Sequence, residues 1–171
     1  MIQSLIYRVF NKLVKIYWGF NYSVLRSKYE INKTFRFNGP HIQIYGDGSF
    51  LTGKNSYIGS FSTIQINRKS KVKIGNNCRI SHNVRMYTQS IIPDQDFSDY
   101  NNLKSKSGDI LIGDDVWIGA NVFINPGISI GGNSVIGANS VVTKDVEPFA
   151  IMGGVPAKLI RYKNIGDKET F

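Results

Sequence analysis

The chain places a bulky aliphatic residue at every sixth position through much of its C-terminal half. From residue 112 onward it reads IGDDVW, IGANVF, INPGIS, IGGNSV and IGANSV, and the aliphatic series is Ile112, Ile118, Ile124, Ile130, Ile136 and Val142. An apolar or small residue recurs four places after each, as at Val116 and Val122. A period of six fits neither an α-helix, which repeats every 3.6 residues, nor an alternating hairpin meander.

A six-residue period does fit short strands joined by tight turns. The aliphatic side chain points inward, and glycine or asparagine supplies the backbone angles that each turn needs. Three hexads would close one triangular coil, and stacked coils would bury an aliphatic column that no single coil buries alone. The pattern therefore predicts an all-β fold, a parallel β-helix with three sides.

The same register is present upstream, with one long interruption. It appears in IGNNCR from Ile74, ISHNVR from Ile80 and MYTQSI from Met86, and more loosely between residues 42 and 66. Between Met86 and Ile110 the period is lost, and the sequence is rich in Asp, Ser, Asn and Lys. We expect residues 88–109 to form one long loop that protrudes from a corner, and loops of this length are often functional.

The N-terminal segment has a helical pattern instead. Its apolar residues at helical spacing are Leu5, Ile6, Val9, Phe10, Leu13, Val14 and Tyr17, and its basic residues off that stripe are Arg8, Lys12 and Lys15. This predicts an amphipathic helix that either covers the open end of the solenoid or a neighbouring subunit, or contacts an anionic membrane through residues 1–20. The expected division is 1–38 for the helical segment, 39–163 for the β-helix and 164–171 for a tail.

Charge and cysteine content narrow the partners and the compartment. Lys and Arg outnumber Asp and Glu by 21 to 12, which favours anionic partners. The basic residues are dispersed and no nucleic-acid reading element is visible, so nucleic acid is not expected. Cys78 is the one cysteine, which excludes an intrachain disulfide and makes the cytoplasm the default location. Arg8, Lys12 and Lys15 interrupt the apolar residues too often for a spanning helix.

The segment IGDDVWIGANVFINPGISIGGNSVIGANSVVTKDVEPFAIMGGVPAKLI resembles the hexapeptide-repeat acetyltransferases, particularly the galactoside and maltose acetyltransferases and the capsule and O-antigen O-acetyltransferases. The resemblance extends over roughly residues 42–163. It implies left-handed coils, a homotrimer with active sites between subunits, and acetyl-CoA as co-substrate without a metal. The expected reaction transfers acetyl to a hydroxyl of a sugar or surface-polysaccharide precursor, either in the cytoplasm or peripherally at the inner face of the membrane.

Other functions on the same solenoid remain open at this point. They are N-acetylation of an amino sugar, a nucleotide sugar or a small xenobiotic, and a non-enzymatic β-helix scaffold. A zinc-dependent carbonic anhydrase would need three histidines that converge on one metal, and the chain has two.

The resemblance also assigns residues to the co-substrate. Trp117 matches the family's tryptophan at the acceptor or thioester, and Ala120 and Ala138 match small positions beside the pantetheine arm. The residues that match positions near the nucleotide end of CoA are Thr143, Lys144, Lys158 and Arg161. Small side chains let a linear arm approach the backbone, and cations pair with phosphate oxygens.

The chain departs from the family at the expected catalytic histidine. Galactoside and maltose acetyltransferases carry it in a pattern like TGHP, whereas this chain has TQSIIP, with Ile91 or Ile92 at that place. A histidine suits the removal of a hydroxyl proton near neutral pH. We expect His82, at a turn position before the loop, to be the base, and His41 to be structural. The acceptor contacts expected near His82 are Asn83, Tyr87, Asp94, Asp96 and Trp117.

Overall fold

The computed structural model describes residues 2–164 as one long helix followed by a three-sided parallel β-solenoid of five coils. The predicted parallel β-helix is thereby confirmed. Helix α1 spans Ile2–Lys28. The predicted tail lies, apart from Asn164, outside the described residues.

Each coil contributes one strand to each of three parallel sheets, which we call faces A, B and C. Face A contains β1 (Glu30–Ile31), β4 (Ser49–Thr52), β7 (Lys71–Ile74), β12 (Ile110–Ile112) and β15 (Ser129–Ile130). Face B contains β2 (Arg36–Asn38), β5 (Tyr57–Gly59), β8 (Arg79–Ile80), β13 (Trp117–Ile118), β16 (Val135–Ile136), β18 (Ala150–Gly153) and the antiparallel β19 (Lys158–Tyr162). Face C contains β3 (Gln43–Gly46), β6 (Thr63–Ile66), β9 (Arg85–Tyr87), β14 (Phe123–Ile124) and β17 (Val141–Val142).

The core is a set of aliphatic stacks, one behind each face. On face B, Ile58, Ile80, Ile118 and Ile136 lie in register on successive coils, and none is exposed to solvent. Full burial of such a side chain contributes about 1.5–3 kcal/mol. The stacks thus hold the coils together, and the outward residues between them are left free for function.

The first coil begins before the predicted boundary at residue 38. Strands β1 and β2 already pair with β4 and β5 of the second coil. The hexad pattern is hidden there because aromatic rings replace aliphatic residues: Phe35 is buried, and Phe37 packs against the core from its edge.

The residues that separate β9 from β12 form an ordered excursion from the corner between faces C and A. Within the expected loop 88–109, β10 (Gln89–Ile91) pairs antiparallel with β11 (Ser105–Ser107), and a short 3₁₀ helix spans Tyr100–Asn102. Gln95 accepts a hydrogen bond from the Lys104 amide (2.7 Å) and donates to the Ile92 carbonyl (2.6 Å). The excursion is therefore a cross-linked hairpin that stands out from the solenoid.

Candidate functional site

The corner between faces B and C carries the residues that sequence analysis assigned to the base and to the pantetheine arm. His82, Ala120 and Ala138 occupy the same turn position on three successive coils. The Asn121 amide donates to the His82 carbonyl (3.0 Å), and the Asn139 amide donates to the Ala120 carbonyl (2.9 Å). With coils about 4.8 Å apart, the three residues form a straight column.

Asparagines hold this B–C corner in shape. Asn83, Asn121 and Asn139 follow the column residues, and each has a positive φ of 54–59°, a conformation that asparagine tolerates better than most residues. Their side chains form a ladder, with Asn83 donating to Asn121 (2.9 Å) and Asn121 donating to Asn139 (3.0 Å). Asn83, predicted as an acceptor contact, thus uses its amide nitrogen within the ladder.

The column also presents unused backbone donors. Within residues 2–164, the amide N–H groups of His82, Ala120 and Ala138 donate to no acceptor. The methyl side chains of Ala120 and Ala138 leave these N–H groups accessible to a ligand. A linear molecule with amide carbonyls can therefore run along the corner and accept hydrogen bonds from it.

The two histidines have different surroundings. The His82 ring is exposed and forms no hydrogen bond with any described residue. Its Nδ1 lies over Gly59, so close that a Cβ built on Gly59 would be 2.8 Å from it. His41 is instead stacked on Phe61, with ring centroids 4.9 Å apart, and meets the edge of Trp18 at 4.8 Å. His82 is the histidine that is free to meet a substrate.

A groove with a volume of about 1090 Å³ lies over face B, and its lining includes Asn77 and Asp115 at the corner between faces A and B and Ser81, which precedes His82. Trp117 lies in the groove with 53% of its surface exposed, and Arg161 of β19 lines it as well. Sequence analysis missed Tyr57, Arg79 and Lys163, which also line the groove. Arg79 pairs in register with Trp117, so alignment of the hexads could have revealed its place on the same face.

The cations assigned to the nucleotide end of CoA do not meet within one chain. Lys158 and Arg161 lie on β19, the outer strand of face B. Thr143 lies at the C–A corner, where it lines a shallow pocket with Ile91 and Ile92, and Lys144 follows it. About half a coil, from Asp145 to Gly153, leads from Lys144 to the β18–β19 hairpin, so Thr143 and Lys144 lie at the C–A corner while Lys158 and Arg161 lie on face B.

The acceptor contacts predicted around His82 are also separated from it. Asp94 and Asp96 belong to the excursion at the C–A corner, so face C stands between them and His82. Asp96 accepts a hydrogen bond from the Ser98 amide (2.8 Å), which lowers the pKa of its carboxyl group. Tyr87 lies at the far end of β9 and packs edge-on against Phe123, with centroids 5.2 Å apart.

The excursion therefore does not cover His82 of the same chain. After β8 the chain turns the B–C corner, where His82 lies, runs along face C as β9, and only then reaches the C–A corner, from which the excursion leaves. Sequence distance from His82 is short, but the intervening strand carries the chain to another corner.

The fold is the three-sided parallel β-helix of hexapeptide-repeat proteins. The sequence profile of the bacterial transferase hexapeptide family (six repeats) matches residues 109–144. Comparison with curated proteins by sequence gives no significant match.

Solved structures extend the similarity over most of the chain. A galactoside acetyltransferase in complex with coenzyme A is 36% identical, with 76% of this chain and 66% of that chain covered and a TM-score of 0.64. A maltose O-acetyltransferase from Clostridium difficile 630 is 31% identical (77% and 72% covered, TM-score 0.63). A hexapeptide-repeat acetyltransferase from Vibrio cholerae O1 biovar eltor, complexed with acetyl coenzyme A, is 28% identical (84% and 76% covered, TM-score 0.67). The chain belongs to the hexapeptide-repeat acetyltransferase family.

Proposed function

We propose that the protein transfers an acetyl group from acetyl-CoA to a hydroxyl of a sugar or of a surface-polysaccharide precursor, with His82 as the general base. The observation that carries the proposal is the B–C corner column. It combines one exposed histidine with two alanines directly above it and a row of free N–H donors. Two structurally similar proteins are named as a galactoside acetyltransferase and a maltose O-acetyltransferase, and these names support a sugar as the acceptor.

In this proposal the pantetheine arm lies along Ala120 and Ala138, with the thioester near His82. The imidazole takes the proton of the acceptor hydroxyl while the hydroxyl oxygen attacks the carbonyl carbon of the acetyl group. The oxyanion that forms accepts a hydrogen bond from a column N–H, such as that of Ala120. The C–S bond then breaks, the acetyl ester is released, and the CoA sulfur recovers the proton from the imidazolium.

We further propose that the active enzyme is a homotrimer. The excursion with Asp94 and Asp96, and the pair Thr143 and Lys144, lie on a corner that His82 of the same chain does not reach. A neighbouring subunit packed beside the B–C corner would bring its own C–A corner to the column. The predicted acceptor and nucleotide contacts would then come from two chains at each site.

The decisive test compares His82→Ala with His41→Ala. We expect His82→Ala to lower kcat for acetyl transfer by about 10²–10⁴-fold, the usual contribution of a general base. Calorimetric titration should show that this variant still binds CoA, because the alanine column is unchanged. His41→Ala should keep near-normal kcat at a temperature where circular dichroism shows it folded.

Two results would contradict the proposal. Near-normal turnover by His82→Ala would contradict the assignment of His82 as the base. Absence of saturable CoA binding by the wild-type protein would favour a scaffold role. A screen with galactosides, maltose, amino sugars and capsule oligosaccharides would separate O-acetylation from N-acetylation.

A further inference from the structure

Helix α1 contacts the solenoid through a single face near its C-terminal end. Tyr22 stacks on Phe37, with centroids 4.3 Å apart, and donates a hydrogen bond to the Gly39 carbonyl (2.6 Å). Trp18 meets the His41 ring, and Leu25 packs against the core. These contacts fix the rotation of the helix about its axis and cover the open end of the first coil.

The opposite face of α1 is apolar and points away from the solenoid. Its members are 49–74% exposed and comprise Ile2, Leu5, Ile6, Val9, Phe10, Leu13, Ile16, Tyr17, Phe20 and Val24. At about 100° per residue they span an arc of about 140°, centred opposite the docking face. We call this surface the apolar stripe. In a single folded chain the apolar stripe is exposed to water, and an exposed apolar surface of this size is typical of an interaction site.

The charge on α1 is entirely positive. Ile2–Lys28 contains Arg8, Lys12, Lys15, Arg26 and Lys28 and no acidic residue. At about 100° per residue, Lys12 lies about 20° beyond one edge of the apolar stripe, and Arg8 and Lys15 lie about 60–80° beyond the same edge, so the three cations share one flank of the stripe. Arg26 is occupied by the carbonyls of Asn32 and Phe35. A basic edge beside an aromatic and aliphatic stripe is complementary to a surface that is anionic outside and apolar beneath.

These features favour a bilayer over a second copy of the helix. The arc of the stripe is wider than the narrow seam that a coiled coil buries. A bundle of copies would also bring like charges together without any acidic partner on the helix. No helix of the described chain has the length and hydropathy needed to cross a membrane.

We infer that α1 lies flat on an anionic lipid bilayer, with the apolar stripe in the acyl boundary and Arg8, Lys12 and Lys15 at the headgroups. Because α1 covers the first coil, the solenoid stands with that coil nearest the lipid and the last coil farthest away. This inference is independent of acetyl transfer.

Vesicle flotation of the full chain tests the inference. We expect the protein to float with phosphatidylcholine vesicles that contain phosphatidylglycerol and to float less with phosphatidylcholine alone. Each basic residue near an anionic surface contributes about a fivefold gain in partitioning, so replacement of Arg8, Lys12 and Lys15 by Gln should weaken binding about 100-fold. A charge-matched control replaces Lys54, Arg68 and Lys69 on the solenoid by Gln, and it should float like the wild type.

A second variant, Leu13→Asp with Phe10→Asp, tests the apolar stripe. It should abolish flotation and leave the oligomeric state, measured by light scattering without lipid, unchanged. Absence of wild-type flotation on anionic vesicles overturns the inference. So does a fall in oligomeric state in the aspartate variant, because that result would assign the stripe to contacts between copies.

Discussion

Two corners of the solenoid share one backbone design and differ in what they do with it. At the corner between faces A and B, the Lys54 amide donates to the Asn76 side chain (2.8 Å), and the Asn76 amide donates to the Asp114 side chain (2.7 Å). At these two levels a side chain of one coil thus satisfies the turn of the coil before it. At the B–C corner, the positions of Asn76 and Asp114 are taken by His82 and Ala120, and the corresponding donors stay free.

The comparison distinguishes a corner where side chains accept from the turn amides from a corner where the equivalent amides have no acceptor. At the A–B corner the N–H groups of Lys54 and Asn76 are taken by side-chain acceptors, whereas the Asp114 N–H, which faces Gly132, has no acceptor among the described residues. The B–C corner relies on its asparagine ladder for support and leaves its column open. Alanine at this corner position cannot accept a hydrogen bond from the turn of the preceding coil. Asn76 and Asp114 at the equivalent position of the A–B corner do accept one.

The largest effect is expected from substitution of the glycine that begins each corner. A Cβ on Gly53 would lie 2.7 Å from the Asn76 amide nitrogen, and a Cβ on Gly59 would lie 2.8 Å from that of His82. Alanine at either site should lower the free energy of unfolding by about 1–3 kcal/mol, because the contact is with backbone. Urea denaturation measures this loss.

Activity should distinguish the two glycine variants. Gly59→Ala also displaces the His82 ring, so kcat should fall about 100-fold, as expected for a misplaced catalytic group. Gly53→Ala is the matched control and should retain kcat wherever it is folded. Equal loss of kcat in both variants would mean that the coil as a whole, and not the B–C corner, governs turnover.

A smaller effect should follow from closing the open corner. In Ala120→Asn the new side chain can accept from the His82 amide, as Asn76 does from Lys54. We expect KM for acetyl-CoA to rise about tenfold, because a donor and the space beside it are both lost. The urea midpoint should not fall. Steady-state kinetics with unchanged KM would place the co-substrate elsewhere.

The sequence predicted most of the solenoid and only part of the site. Where every hexad begins with an aliphatic residue, as from Ile112 to Val142, period and burial agree. The first coil was missed because packing depends on volume, and Phe35 fills the same space without matching the pattern. Trp117 lies on face B and Ala120 follows it at the B–C corner, so the two residues occupy adjacent surfaces and not one face.

The remaining site residues could not be placed from spacing alone. Lys144 and Lys158 are close in sequence, but the chain crosses two corners between them. Asp94 follows His82 by only twelve positions, but the excursion that carries it leaves from another corner. Whether these residues lie close together depends on the corner from which an excursion leaves and on how subunits pack. The six-residue period predicts neither.

The weakest expected effect concerns the pH dependence of the closed corner. The Asp114 carboxylate accepts hydrogen bonds from the backbone N–H and the side-chain amide of Asn76, and these bonds lower its pKa, with a smaller contribution from Lys73. A lowered folded-state pKa means that the stabilisation is present above the unfolded value of about 3.9 and is lost as pH falls through the folded value. Because the carboxylate is exposed, its contribution should be only about 0.5 kcal/mol.

Asp114→Asn isolates that contribution, since asparagine can still accept from the Asn76 amide but does not titrate. Urea denaturation at neutral pH should show the variant slightly less stable than the wild type. Near pH 3 the difference should shrink, because the wild-type carboxyl group begins to protonate there. The B–C corner has no carboxylate in its column, so Ala120→Gly should show no such pH-dependent difference. A difference for Asp114→Asn that is the same at both pH values would mean that shape, and not charge, closes the A–B corner.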